Sequence, residues 1–236
     1  MNILAIDTSG PVCGVSIMKD NRIVAEHLTI NPKTHSVNLL PMVNQALDDA
    51  SITINELDRI ACVVGPGSFT GVRIGVSTVK GLAHGFSTPC VPVDALEAMA
   101  WGAAEFEGII CAIQDARAGQ VYAALFSNQA DGMIRLMEDK PIGIDELLHS
   151  ITEAAYERVL FIGDGVPVHE SAIRGKLGGN AVIPPPHLIY LRPSSVALLG
   201  SRSNQLLKYN ELMPMYLRKP SAERNKRLVE AQSLEK

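Results

Sequence analysis

Two stretches of the chain carry one pattern: LAIDTSGPVCGVSI at residues 4–17 and CAIQDARAGQVYAAL at residues 111–125. Each reads as an apolar strand that ends on an aspartate, Asp7 or Asp115, then a tight turn and a second strand. The same order continues outward from both. In the first half, Asn2–Asp7, Gly14–Met18 and Ile23–Leu28 are separated by short gaps of turn residues and predict a three-strand meander. A helix is predicted over Ser36–Ala50, with Val37, Leu40, Val43, Ala46 and Leu47 on one stripe. A strand at Arg59–Val64 then runs through Gly65-Pro66-Gly67 into a long helix at Ser68–Phe86, a short strand at Cys90–Val93 and a helix at Asp94–Phe106.

The second half repeats this. Ile109–Asp115, Val121–Phe126 and Gly132–Glu138 form a second meander, and Asp145–Ala155 is helical in pattern. A strand at Arg158–Ile162 meets Gly163-Asp164-Gly165 and a helix at Val168–Lys176, followed by a short strand at Ala181–Ile183. A last helix is expected at Ser194–Tyr209, with Ser194 or Ser195 as N-cap. Asp7 and Asp115 take like positions, as do the two glycine turns. A plain doubly wound sheet would alternate strand and helix from its start. The doubled order predicts an α/β chain of two ribonuclease-H-like lobes, the actin-like ATPase architecture, each a mixed sheet with a three-strand meander and flanking helices. The first lobe is expected to span residues 1–105, completed by a helix at 194–210, the second 106–193, with a tail at 211–236.

Composition narrows the function. The chain has 236 residues, is 47% hydrophobic and has a formal charge of −4, which argues against a dedicated nucleic-acid binder. The exception is the tail, where Arg218, Lys219, Arg224, Lys226 and Arg227 cluster. A start at MNILAID with no basic region before an apolar run predicts no signal peptide, and no 18-residue apolar run is present. Cys13, Cys62, Cys90 and Cys111 stand apart beside apolar residues and read as buried thiols of a reducing cytoplasm. The histidines form no H-x-x-x-H pair.

Asp7-Thr8-Ser9 offers a carboxylate for a metal and hydroxyls for phosphate oxygens, the weak nucleotide candidate of the chain; Asp, Thr and Ser are equally ordinary turn formers. Its turn holds no Lys or Arg before Lys19. The GPG stretch matches neither phosphate template, since no Gly-Lys-Ser/Thr follows and Thr70 stands where G-x-G-x-x-G needs its third glycine. On a helix, Ser68, Gly71, Gly75, Thr78, Gly81 and Gly85 share a small face, Phe69, Val72, Val76, Val79 and Ala83 an apolar one, and Thr70, Arg73, Ser77, Lys80 and His84 a polar one. Four helical glycines cost roughly 4 kcal/mol relative to alanine, so a close backbone contact must offset them. That contact is either the chain's own sheet or a partner helix. No nucleophile–base arrangement stands out, so no catalytic residue and no metal ligand is assigned. His35 and His84 read as surface or capping histidines.

The segments ILAIDTS, THSVNLLPMV (34–43), GPGSFTGVRIGVSTVKGLA (65–83), QDARAGQVY (114–122) and PMYLRKPSA (214–222) together resemble the TsaB (YeaZ) family of bacterial threonylcarbamoyladenosine biosynthesis proteins. The resemblance covers the chain end to end, and GPGSFTG-x-RIG is its most specific part. It implies a cytoplasmic, non-catalytic subunit that pairs with the transferase TsaD and the ATPase TsaE. Their shared product is the modified adenosine beside the anticodon of tRNAs reading ANN codons. TsaD carries metal histidines in a pattern like N-H-L-E-G-H; the matching stretch here is Asp94-Ala95-Leu96-Glu97-Ala98-Met99, with Ala95 and Met99 in the histidine places. The implied interface uses the GPG helix and the helix before it, through Ser68, Gly71, Arg73, Gly75, Thr78, His35, Leu39 and Met42, and the same surface implies a homodimer of the isolated chain. ATP or ADP is expected only in the assembled complex, and tRNA contact through the complex rather than by this chain directly. The alternative function is a glycoprotease-type metallopeptidase or a nucleotide-dependent enzyme of the same fold.

Overall fold

The computed structural model describes residues 1–31, 35–129 and 132–218. The elements follow the doubled order: β1 (Asn2–Asp7), β2 (Val12–Lys19), β3 (Arg22–Ile30), α1 (His35–Asp49), β4 (Arg59–Gly65), α2 (Phe69–Phe86), β5 (Cys90–Asp94) and α3 (Ala95–Trp101). Then come β6 (Ile109–Asp115), β7 (Gln120–Gln129), β8 (Gly132–Gly143), α4 (Ile144–Glu153), β9 (Val159–Ile162), α5 (Gly165–Leu177), β10 (Ala181–Val182) and α6 (Pro193–Arg202). Two five-stranded sheets result, ordered β3-β2-β1-β4-β5 and β10-β9-β6-β7-β8. Read from the meander outward, the second is the first repeated: each first strand pairs antiparallel with the next strand and parallel with the strand after the helix. This is the two-lobed actin-like architecture expected from the repeat.

Each sheet buries one face under its own helices. α4 lays Ile144, Leu147, Leu148 and Ile151 on the second sheet at i, i+3, i+4 and i+7 spacing. α1 buries His35, Leu39, Val43, Ala46 and Leu47, while Val37 and Leu40 stand 69% and 48% exposed. The expected stripe through Val37 and Leu40 is therefore rotated, because three-residue steps drift backward around a helix whereas 35, 39, 43 and 46/47 follow its true period.

The opposite faces meet each other. Ile3, Ala5, Val63 and Val93 of the first sheet share one buried cluster with Ile110, Ala112, Phe126 and Ile162 of the second, with α3 and α6 between them. α6 lies on β1, β2 and β4. A Cβ on Gly200 would stand 2.6 Å from that of Ala61, and Gly14 has no room for one against Pro193. Ser16 sits fully buried in β2 and donates its hydroxyl to Pro193 O at 2.9 Å. The Arg59 guanidinium caps the other end of α6 at Gly200 O and Ser203 O, at 3.2 and 2.8 Å.

Three helix boundaries differ from expectation. α6 starts at Pro193, whose missing N–H suits a first turn, with Arg192 rather than Ser194 or Ser195 at the N-cap. It stops at Arg202 instead of reaching 209 or 210, because the chain turns extended and Leu207 exchanges two 2.8 Å hydrogen bonds with Cys90 on the open edge of β5. α3 likewise ends at Trp101, since the Gly102 N–H closes back on Ala98 O and Met99 O.

The glycine face of α2 divides. Gly71 leaves no space for a Cβ against Thr8 O, and at Gly75 a Cβ would stand 2.5 Å from Thr8 Oγ1; Gly81 and Gly85 meet nothing within 4 Å. Gly75→Val is therefore expected to destabilise the isolated chain by about 2–4 kcal/mol through overpacking, and Gly81→Ala to stabilise it by up to about 1 kcal/mol through helix propensity. Urea unfolding of the two variants checks both signs.

Candidate functional site

The β1–β2 turn, the N-terminus of α2, the β6–β7 turn and the start of α5 surround a cleft of about 530 Å³ between the lobes. On the first-lobe side, Asp7, Thr8 and Ser9 are each 1% exposed. They are not a free phosphate loop: Thr8 Oγ1 donates to Gly71 O at 2.7 Å, and Asp7 Oδ1 accepts the Ser9 N–H at 2.8 Å. Ser9 O accepts the Ser68 N–H at 2.7 Å, and Gly67 has no Cβ to collide with it. Ser68 caps α2 by accepting the Gly71 N–H at 3.2 Å. Only Ser9 of the three expected nucleotide residues lines the main cleft, and Asp7 lies beneath it.

The second lobe supplies the groups that sequence reading passed over. Strand alternation turns Ile3, Ala5 and Asp7 of β1, and Ile110, Ala112 and Gln114 of β6, toward the other lobe. Asp7 and Asp115 keep like places in their turns, each ending its strand and accepting the N–H two residues on, but the residue that shares Asp7's side of the sheet, toward the other lobe, is Gln114. Asp115 is half-buried, caps its own turn by accepting the Arg117 N–H at 3.0 Å and lies 3.7 Å from His169. Asp164, from the GDG turn, reaches the same floor: a Cβ on Gly10 would stand 3.6 Å from Gln114 Nε2 and 3.7 Å from Asp164 Oδ1. Met99 also lines this floor, and Ala95 is fully buried; both side chains are apolar. Asp94 instead caps α3 by accepting the Glu97 N–H, and Arg135 pairs with Asp94, Glu97 and Asp139 around it. Among the described residues no group of three or more His, Cys, Asp or Glu is placed to hold a metal ion.

A strap from the C-terminal segment roofs the cleft. Leu212 is fully buried in the first-lobe core, and the Met215 N–H donates to Val64 O at 2.7 Å. Tyr216 stacks on Phe69 at 4.8 Å, and Arg218 crosses to the second lobe, donating to Gln120 and lying over the Tyr122 ring. Of the basic tail, Arg218 is thus tied down; Lys219, Arg224, Lys226 and Arg227 lie outside the described residues.

The expected interface set is split by burial. Gly71, Gly75, His35 and Leu39 are buried inside the lobe, so they shape the α1–α2 face from beneath rather than presenting it. His35, expected as a surface or capping histidine, is buried and hydrogen-bonds through Nε2 to Gly10 O at 2.9 Å. Ser68 and Arg73 are exposed, and Thr78 and Met42 half-buried. The apolar groups that do face outward are Val37 and Leu40, which the rotated stripe had assigned to the core.

Burial pushes the Asp7 carboxyl up to about 6, against the lowering effect of its hydrogen bonds from Ser9. Burial, with repulsion from Asp115 and Asp7, pushes Asp164 up to about 7. Both hold a proton more tightly folded than unfolded, so their contribution to stability is full below about pH 4 and is lost as pH rises through about 6 to 7. Urea midpoints should fall between pH 5 and 7.5, and Asp164→Asn should flatten that fall by an amount on the order of 2 kcal/mol; an unchanged slope in the variant contradicts the assignment.

The family model "TsaD: tRNA N6-adenosine threonylcarbamoyltransferase" matches residues 22–226. The Bacillus subtilis tRNA threonylcarbamoyladenosine biosynthesis protein TsaB is 35% identical over 94% of this chain and 96% of its own, and its Escherichia coli counterpart 34% over 70% and 72%. YeaZ from Pseudomonas aeruginosa superposes with a TM-score of 0.73 at 26% identity, over 92% of this chain and 99% of that one. These relations establish that the chain belongs to the TsaB family, within the wider TsaD family.

Proposed function

We propose that this chain is a non-catalytic subunit of tRNA threonylcarbamoyladenosine formation, holding a TsaD-type transferase in its working assembly. The observation that carries the reading is the chemistry at the two positions matching the transferase's histidines. Ala95 and Met99 are buried apolar side chains at 0% and 3% exposure, unsuited to a hard or borderline divalent metal. Met99 lies at the floor of the cleft. Among the described residues the cleft wall holds no lysine.

The docking surface in this reading is the outer side of α1 and α2. Val37 and Leu40 expose large apolar area there, and Arg73, Ser77 and Gly81 form the exposed side of α2. Gly81 and Gly85, open on their outer side, admit a helix at close range. A homodimer of the isolated chain uses the same surface, and TsaE, tRNA and ATP or ADP join at the level of the assembled complex. No described helix is long and apolar enough to cross a membrane.

The test uses exposed residues, because large substitutions at Gly71 or Gly75 would disturb the lobe itself. Val37→Asp combined with Leu40→Asp should leave the melting temperature of the isolated chain within a few degrees. It should abolish the mass increase seen by light scattering on mixing with a TsaD-type partner, and lower threonylcarbamoyladenosine in tRNA correspondingly. A heterocomplex of undiminished mass and unaltered modification would refute this docking role.

A further inference from the structure

The C-terminal strap is held unevenly along its length. Its first part belongs to the first lobe. Leu207 pairs with Cys90 on the edge of β5, Leu212 is fully buried, and the Met215 N–H donates to Val64 O at 2.7 Å. Gly65 leaves no room for a Cβ against Met215 O, so the strap backbone is pressed onto the GPG turn at that point. Beyond Met215 this anchorage stops. Among the described residues no backbone hydrogen bond holds Tyr216, Leu217 or Arg218. Side chains hold them instead. Tyr216 stacks on Phe69 at 4.8 Å while 44% exposed, and Arg218 donates to Gln120 and lies 5.6 Å from the Tyr122 ring centre.

Tyr216, Leu217 and Arg218 line the cleft with Met215, so the weakly tied end of the strap is the part over the opening. Contacts of this kind, side chain to side chain at an exposed rim, break in local opening well before the lobe beneath unfolds. The partner of Arg218 on the second lobe is a neutral amide. A carboxylate at position 120 would make an ion pair roughly twice as strong; glutamine makes a contact that releases more readily. The floor opposes closure. Both amide atoms of Gln114, Asp164 Oδ1, Ser9 Oγ and His35 Nδ1 line the cleft with no hydrogen-bond partner among the described residues. Buried polar groups are stabilised by being paired, and a closed roof keeps solvent from these. Closure thus gains rim contacts and forgoes hydration of the floor, and two opposed terms of this kind make a two-state element.

We propose that Tyr216–Arg218 is a gate over the interlobe cleft, hinged after Met215 and latched by Arg218 on Gln120 and Tyr122. In the latched state the lobes are tied across the front and the floor is covered. In the lifted state Leu212 and Met215 keep the strap on the first lobe, the front tie is broken, and small polar solutes reach the floor. The gate rests on the strap and the cleft, and it stands apart from the docking role.

The test places a reporter thiol under the roof. Ala116 lines the cleft and is half-buried, and the four native cysteines are buried. Ala116→Cys in the full chain therefore adds a thiol that gate opening exposes while the native ones stay shielded. Its alkylation by iodoacetamide is read by mass spectrometry of the digested protein. The reporter is expected to react roughly a hundredfold more slowly than in the urea-unfolded chain, matching an open state about 1% populated. Arg218→Ala should speed it by about tenfold, the range for losing a charge-assisted hydrogen bond and a cation–π contact. Gln120→Ala should also speed it, and the double variant should go no faster than Arg218→Ala, because both remove one latch. Gln120→Glu should slow it by about threefold. Ser9→Cys, a near-isosteric reporter on the first-lobe wall, repeats the series should Ala116→Cys lower the melting temperature. Rates indifferent to Arg218→Ala at both reporters would overturn the gate. So would Gln120→Glu acting like Gln120→Ala, or native cysteines alkylated in step with the reporter, which would mean that a lobe unfolds. Partner docking enters none of these readings.

Discussion

The structure turns on how closely α2 lies against the β1–β2 turn. Gly67, Gly71 and Gly75 each bring backbone to Ser9 or Thr8 at a range no Cβ would allow, and Thr8 Oγ1 closes the contact on Gly71 O at 2.7 Å. This one seam orients the long helix, sets the first-lobe wall of the cleft and seals the hydroxyl and carboxylate that would otherwise have formed a phosphate loop. The glycines offset their helix penalty within the chain. Only the outer end of the helix, at Gly81 and Gly85, keeps open space.

The doubled order was readable because repeats preserve punctuation: the strand ends, the hairpin turns and the two glycine turns recur in the same succession. Cys90 shows where local reading stops. Its strand was evident, but its pairing with Leu207 joins residues more than a hundred apart, and that pairing ends α6 early. Gln114 shows the same limit in the site. A polar residue two positions past Ala112 on an inward-facing alternation was a visible signal, yet the neighbouring Asp115 drew the assignment, since a carboxylate matched Asp7 by type. Burial decided against it. Val37 and Leu40 were misplaced for a related reason: apolar residues on a helix declare a face only when the true period of the helix is applied.

Among the described residues the two lobes are joined on both sides of the cleft. α3 and α6 fill a shared apolar core behind the cleft, and the strap from Leu212 to Arg218 closes it in front. Contacts on both sides of the cleft suit the proposed role of presenting a surface to a partner. The orphaned atoms of Gln114 and the raised carboxyls of Asp7 and Asp164 then mark a polar floor beneath the cleft.

The central claim is that function resides on the outer face of α1 and α2 rather than in catalysis within the cleft. Hydrogen exchange of the chain, alone and mixed with a TsaD-type partner, addresses it most directly. The account predicts new protection across His35–Asp49 and Phe69–Phe86, with the β6–β7 turn and the strap unchanged by the partner. Protection confined to the cleft-lining turns, with α1 and α2 exchanging as in the free chain, would contradict it.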